Sequence, residues 1–282
     1  MATTEAQGAR PLGDFTGTIL LVGAGKMGGA LLEGWLALGL DSKKIAVLEP
    51  QPGKELTALA GGGLRLNPSA EAVGEVSAIV LAVKPQTAPA VMPVLAPFVG
   101  ASTVTLSIMA GPTLRFLEQA LPARSAVVRA MPNTPAAIGR GITVAVANAR
   151  VSAPQRELVH ALLSAVGVVE WVADEALMDA VTAVSGSGPA YVFLLAEAMA
   201  RAGAAAGLPA DLAARLARAT VAGAGELLHR SPLDAATLRQ NVTSPGGTTA
   251  AALDMLMAPD GLDPLMTKAI AAATRRSREL AG

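Results

Sequence analysis

Two stretches of this 282-residue chain gather hydroxyls, glycines and backbone amides without bringing a charge. One is Ser185-Gly186-Ser187-Gly188-Pro189, and the other is Thr243-Ser244-Pro245-Gly246-Gly247-Thr248-Thr249. Each is a turn that runs into a helical pattern. Such a turn presents several N–H groups together with the positive end of a helix, a ready anion site. A substrate carrying a carboxylate suits it. Taken singly, either turn also reads as a well-capped helix start. Two of them in one small domain, both polar without charge, favour substrate binding.

A third stretch, Gly23-Ala24-Gly25-Lys26-Met27-Gly28, follows the apolar run 18–23 and opens the helical run 28–39. Gly23 and Gly25 permit a tight turn and the close approach of a pyrophosphate. Gly28 lets the helix pack near the strand. In a strand–loop–helix context this pattern predicts a bound dinucleotide. The next strand pattern, 44–49, ends on Glu49. A carboxylate there takes the adenosine ribose hydroxyls and disfavours a 2′-phosphate. Pro50, Gln51 and Pro52 follow instead of an arginine, and Lys54 is the nearest cation, so the position leans toward NAD or toward weak discrimination.

Leu-Ala-Val-Lys-Pro-Gln (81–86) and Ser-Ile-Met-Ala-Gly (107–111) close two further apolar runs. Open α/β sheets bind ligands at such strand ends. Lys84 and its neighbours are expected to line the cofactor, an ordinary surface lysine being the alternative. The stretch 129–141 carries Asn133 and Thr134 between prolines. It offers an amide and a hydroxyl to nicotinamide or substrate, or else serves as a rigid crossover loop.

The elements that must position these residues follow from periodicity. Short β-type runs at 18–23, 44–49, 77–83, 103–108, 125–131 and 141–147 alternate with helical segments in the first half. Strands buried on both faces and separated by helices predict a doubly wound parallel sheet, a Rossmann-like α/β domain. From Asp174 on the chain is rich in Ala, Leu and Met with helical spacing, which predicts an all-α C-terminal domain. The expected division is a flexible lead-in at 1–16, a dinucleotide-binding domain at 17–173, and a helical domain at 174–282. Hydrophobic residues make up 52% of the chain and charged ones 16%, so burial against a second copy is expected as well.

Composition narrows the chemistry. Lys+Arg and Asp+Glu both number 22, which gives no reason to expect nucleic acid or an anionic membrane as partner. No cysteine is present, so thiolate metal sites and Cys nucleophiles are excluded, and no metal site is expected. The chain reads as soluble and cytoplasmic, with no secretory h-region at its start. Neither His160 nor His229 sits in a Gly-rich loop, and no lysine occurs between Lys84 and Lys268. An alcohol-oxidising dehydrogenase with a helical domain needs an acid–base group there. Its absence counts against that class.

The runs G-A-G-K-M-G, L-A-V-K-P, R-A-M-P-N-T-P, S-G-S-G-P-A-Y and above all S-P-G-G-T-T-A-A-A-L resemble the Δ1-pyrroline-5-carboxylate reductase family, in the family's order from residue 18 to about 275. The resemblance implies reduction of a cyclic imino acid to L-proline with NADPH or NADH. It also implies a helical domain that pairs with a second copy, the dimers assembling into larger rings. Cofactor contacts would fall on Gly23, Ala24, Gly25, Lys26, Met27, Gly28, Ala82, Val83, Lys84, Pro85, Ile108, Met109 and Ala110, with Asn133 and Glu49 beside them. An asparagine that commonly touches the ribose in the family is matched locally by Ser69, with Asn67 nearby. Glu49 departs from the family's pattern after the second strand. Substrate would meet Ser185, Gly186, Gly188, Gly246, Gly247, Thr248 and Thr249, with Thr249 and Ser187 as the catalytic candidates. The alternatives are a hydroxyacid dehydrogenase with a helical domain, or a non-catalytic NAD(P)-binding regulator.

Overall fold

The structure, a computed structural model, describes residues 11–74 and 76–281. Residues 1–10 of the expected lead-in lie outside them. In the rest of that lead-in Leu12 is buried, and its N–H donates to the Leu38 carbonyl at 2.9 Å, while Pro11, Gly13, Asp14 and Thr16 are exposed.

The first compact unit comprises the described residues up to Gly186 together with those from Arg275 onward. Its strands are β1 Ile19–Val22, β2 Ile45–Leu48, β3 Arg65–Leu66, β4 Ala78–Leu81, β5 Val104–Ser107, β6 Ala126–Met131, β7 Gly141–Ala147 and β8 Gly167–Trp171. They form one sheet in the order β3-β2-β1-β4-β5-β6-β7-β8. The helices between them are α1 Lys26–Ala37, α2 Lys54–Gly61, α3 Ala70–Val73, α4 Ala88–Leu95, α5 Leu114–Ala120 and α6 Ala153–Ser164, with α7 Met178–Val181 after β8.

The pleat explains why the strands read as continuous apolar runs. Ile19 and Leu21 of β1 join one core with Leu31, Trp35 and Leu162, while Leu20 and Val22 join the opposite core with Met92, Leu95 and Leu117. Successive side chains point to opposite faces, and both faces are covered by helices, so nearly every strand position is apolar. Trp35 is fully buried, and its indole N–H finds the Leu162 carbonyl at 2.9 Å. Gly34 brings α1 close to α6, since a Cβ there would stand 2.8 Å from the Ala165 carbonyl oxygen.

Two features depart from the sequence reading. Strand β7 pairs antiparallel to β6, whereas all other pairs are parallel. Residues 132–140 are too few for a crossover helix, so the chain turns back through a short 3₁₀ turn and returns in the opposite sense. The second is β8, an edge strand whose alternate residues are exposed, so GVVEW lacks the apolar density of the inner strands.

The second unit, Ser187–Thr274, is helical: α8 Gly188–Ala205, α9 Ala210–Arg230, α10 Ala235–Asn241, α11 Thr248–Leu256 and most of α12 Leu262–Ala281. Helices α8 and α9 pack through small residues, with Gly203 against the buried Ala213. Large apolar side chains remain exposed on this unit, among them Phe193, Leu195, Leu227 and Met255. Among the described residues no helix is long and apolar enough to cross a membrane.

Candidate functional site

In the first unit the strand order reverses between β1 and β4: the chain proceeds outward through β2 and β3, then returns to β4 and continues the other way. A crevice opens at the carboxyl ends of strands flanking such a reversal. Here it is bounded by Gly23 after β1 and Ala82 after β4. Gly23 has φ +89°, and a Cβ on it would stand 2.8 Å from the Ala82 carbonyl oxygen. A Cβ on Gly28 would lie 2.2 Å from the Gly23 carbonyl oxygen, so α1 starts against the loop it leaves. Both positions admit only glycine. Gly25 is different: its φ of −68° suits any residue, and a Cβ there would meet no protein atom within 4 Å. No side chain caps α1, so its first N–H groups have no capping partner and start the helix beside that open space. An anion entering there meets backbone donors and the positive helix end. The loop thus fits the diphosphate of a dinucleotide.

The sequence-derived cofactor positions divide by exposure. Gly25 and Lys26 are exposed and Gly28 is buried, while Ala24 and Met27 are half-buried against the core. Ala82 and Val83 also pack on the cores. Lys84 is exposed, and its carbonyl accepts from the Thr87 N–H at 2.9 Å and hydroxyl at 2.8 Å, closing the turn that begins at Pro85. Ile108 and Met109 are core side chains, and only Ala110 of that trio is exposed. Any contact from Ile108 or Met109 to a ligand would therefore be made by backbone.

Glu49 follows β2 directly. Its Oε2 accepts from the Ala24 N–H at 2.9 Å and its Oε1 from the Gln51 N–H at 3.0 Å. Ser69 precedes α3 and is exposed. The Glu71 backbone N–H, and then the Ser69 hydroxyl, hold the Glu71 carboxyl below its ordinary value.

Asn133 sits after β6, and its side chain is engaged at both ends. Its Oδ1 accepts from the Ile142 N–H at 3.0 Å, and its Nδ2 donates to the Ser185 carbonyl at 3.2 Å. It ties the β6–β7 turn to a π-helical turn, Thr182–Gly186. That turn carries Ser185, whose hydroxyl donates to the Val181 carbonyl at 3.0 Å, and Gly186, which packs on Met131. π-Turns of this kind concentrate at functional sites. Sequence reasoning missed one pair: buried Arg129 donates to Glu175 at 2.7 Å, and the same carboxylate oxygen accepts from the Leu114 N–H at 2.8 Å. The only visible signal was an arginine inside the apolar run 125–131.

In the second unit, Ser187 precedes α8, and its carbonyl accepts from the Ala190 N–H at 3.0 Å. Gly188 and Pro189 form the first turn of that helix. The 243–249 stretch is a turn followed by the start of α11. Gly246 has φ +70°, and the Gly247 N–H donates to the Ser244 carbonyl at 3.1 Å. The first helical bond of α11 runs from Ala251 N–H to the Gly247 carbonyl, and no side chain caps the helix. The N–H groups of Thr248 and Thr249 therefore precede the ladder, whereas that of Gly247 is spent on the turn. Among the described residues, no group of three or more His, Cys, Asp or Glu gathers as metal ligands would.

Residues 175–280 match the family described as pyrroline-5-carboxylate reductase dimerisation, and residues 18–111 match the one described as NADP oxidoreductase, coenzyme F420-dependent. A pyrroline-5-carboxylate reductase of Pseudomonas aeruginosa is 44% identical over 94% of this chain and 97% of its own length. Its counterpart in Mycobacterium leprae is 41% identical over 93% and 96%. Among solved structures, a pyrroline-5-carboxylate reductase from Coxiella burnetii superposes with a TM-score of 0.87 at 34% identity, covering 95% of this chain and 99% of that one. Plasmodium falciparum pyrroline carboxylate reductase with NADP bound gives 0.77 at 28%, covering 94% and 98%. With relatives this similar over nearly its whole length, the chain belongs to the pyrroline-5-carboxylate reductase family.

Proposed function

We propose that this chain performs the reaction its family is named for, reducing the C=N bond of 1-pyrroline-5-carboxylate to give L-proline. The observation that carries the proposal is the uncapped start of α11 after the Ser244–Gly247 turn. It supplies donors without a cation, which suits a substrate bearing its own carboxylate and its own iminium charge. A lysine there would compete with the iminium for the carboxylate, and an aspartate would compete with the carboxylate for the iminium.

When bound, NADPH or NADH supplies the hydride. The protein's part is to place and hold. The Gly23–Gly28 loop and the α1 N-terminus hold the diphosphate. The N–H groups of Thr248 and Thr249 grip the substrate carboxylate. The Thr249 hydroxyl hydrogen-bonds the ring nitrogen and orients it, and a protonated imine needs no stronger acid. Ser185, Ser187 and the glycines beside them shape the second polar turn. Residues 17–173 bind the dinucleotide, and 174–282 hold substrate and pair with a second copy, burying the exposed apolar side chains of α8, α9 and α11. The proposal includes a cytoplasmic location, where NAD(P)H is regenerated.

Steady-state oxidation of NADH and NADPH is measured with pyrroline-5-carboxylate and with its six-membered homologue. Turnover with the five-membered ring is expected, and no turnover with either ring refutes the reading.

A further inference from the structure

We propose that Glu49 makes this chain selective for NADH over NADPH, and that Asn67 is the positioning residue that holds it. The inference rests on the dinucleotide reading of the β1–β4 crevice.

Strand β2 lies beside β1 in the sheet, so the residue that follows β2 arrives next to the Gly-rich loop. Glu49 is that residue. Its two carboxylate oxygens are fixed by the N–H groups of Ala24 and Gln51. A carboxylate oxygen accepts more than one hydrogen bond, so each keeps a lone pair for the vicinal hydroxyls of an adenosine ribose. The same oxygens repel a phosphate on the 2′ position. No arginine occurs between Arg10 and Arg65, and the one cation between β2 and β3 is Lys54 at the first position of α2. Arg65 itself is committed: its guanidinium donates to the Val73 carbonyl at 2.8 Å and to the Thr18 hydroxyl at 3.1 Å.

Glu49 lies beyond the end of the β2–β3 ladder, since β3 is only Arg65–Leu66. Asn67 extends that ladder by one residue with its side chain. Its own N–H donates to the Val47 carbonyl at 2.8 Å. Its φ is +47°, a left-handed conformation that asparagine tolerates, and this turns the carboxamide back toward β2. Oδ1 then accepts from the Glu49 N–H at 2.8 Å, and Nδ2 donates to the Glu49 carbonyl at 2.9 Å. The carboxamide thus does what a peptide unit of a longer β3 would do. Aspartate would lose the donor; alanine would lose both bonds and keep the strained φ. Ser69, which the resemblance matches locally to the family's ribose asparagine, is two positions further on, at the start of α3.

Direct calorimetric titration of NADH and NADPH into the native chain, Glu49→Gln and Asn67→Ala tests this. The native chain should bind NADH at least about tenfold more tightly, the floor set by one negative charge facing two in a near-aqueous dielectric. Glu49→Gln keeps shape and an acceptor but removes the charge, and should bring the ratio to about one. Asn67→Ala should lower the ratio at least about threefold while the KM for the imine stays native, a split that general destabilisation would not give. Equal or tighter NADPH binding by the native chain overturns the selectivity and leaves the crevice reading standing. An unchanged ratio in Glu49→Gln removes Glu49, and one in Asn67→Ala removes Asn67. If neither dinucleotide binds, the crevice reading falls and the inference falls with it.

Discussion

Replacing Gly25 by alanine separates a glycine kept for a ligand from one kept for the fold. Its φ of −68° and ψ of −165° are open to alanine, and a Cβ meets no protein atom within 4 Å. Placing alanine at a helix N-cap instead of glycine costs under roughly 1 kcal/mol. The reduced freedom of the unfolded chain returns about 0.4–1 kcal/mol. Folding stability should therefore stay within about 1 kcal/mol of native, a change in Tm of less than about 4 °C. Binding should not survive so well. The new methyl group fills the space through which a diphosphate approaches the first N–H groups of α1. Losing about two charge-assisted hydrogen bonds at roughly 1.5–3 kcal/mol each removes 3 kcal/mol or more. That weakens dinucleotide binding by on the order of a hundredfold. Calorimetric Kd and a thermal melt on the same preparation measure both quantities. Gly28→Ala is the contrasting control: its Cβ would lie 2.2 Å from the Gly23 carbonyl oxygen, so helix or loop must move. It should lose about 1–3 kcal/mol of stability as well as binding. A native Kd in folded Gly25→Ala would refute the phosphate reading of this loop, and a native melt for Gly28→Ala would refute the packing argument.

Further outcomes follow from single residues. Thr249→Ala should lower kcat/KM by roughly ten- to a thousandfold, the usual worth of a polar contact at the reacting centre, and native kinetics would remove Thr249 from the site. Asn133→Ala breaks the bonds to Ile142 and Ser185 and should cost about 1–3 kcal/mol in denaturant unfolding; an unchanged midpoint would show the stitch to be idle. Arg129→Met leaves Glu175 without its cation, and because Glu175 is 28% exposed and keeps the Leu114 N–H, the expected loss is about 1–3 kcal/mol. Asp234 caps α10, and the Thr237 backbone N–H, then its hydroxyl, hold the Asp234 carboxyl below its ordinary value. Its contribution is therefore present above the ordinary aspartate pKa and lost as pH falls through the lower folded value. An NMR titration of that carboxyl should give a midpoint below the ordinary one, and a midpoint at the ordinary value would contradict the capping account.

What the sequence alone determined here is local. Apolar runs such as Ile19–Val22 and Ala78–Leu81 announce strands covered on both faces, because alternate side chains enter opposite cores. The Gly23–Gly28 spacing announces a strand–loop–helix turn, since the reasons for its glycines lie within a few residues. The uncharged 243–249 turn announces a helix start with open amides for the same reason. Tertiary structure decided the rest, because the interactions join residues far apart in the chain. The sense of β7 depended on how far the short connection at 132–140 could reach. The β8 strand was hidden because an edge strand needs no apolar residue on its exposed positions. Asn67 meets Glu49 across 18 positions, and Arg129 meets Glu175 across 46. No periodicity records such pairs, since each depends on where the sheet brings two backbones side by side. Sequence could show a carboxylate at the end of the second strand. Only the fold, which sets the Ala24 N–H against one of its oxygens and a side-chain amide against its backbone, decided that it is held there.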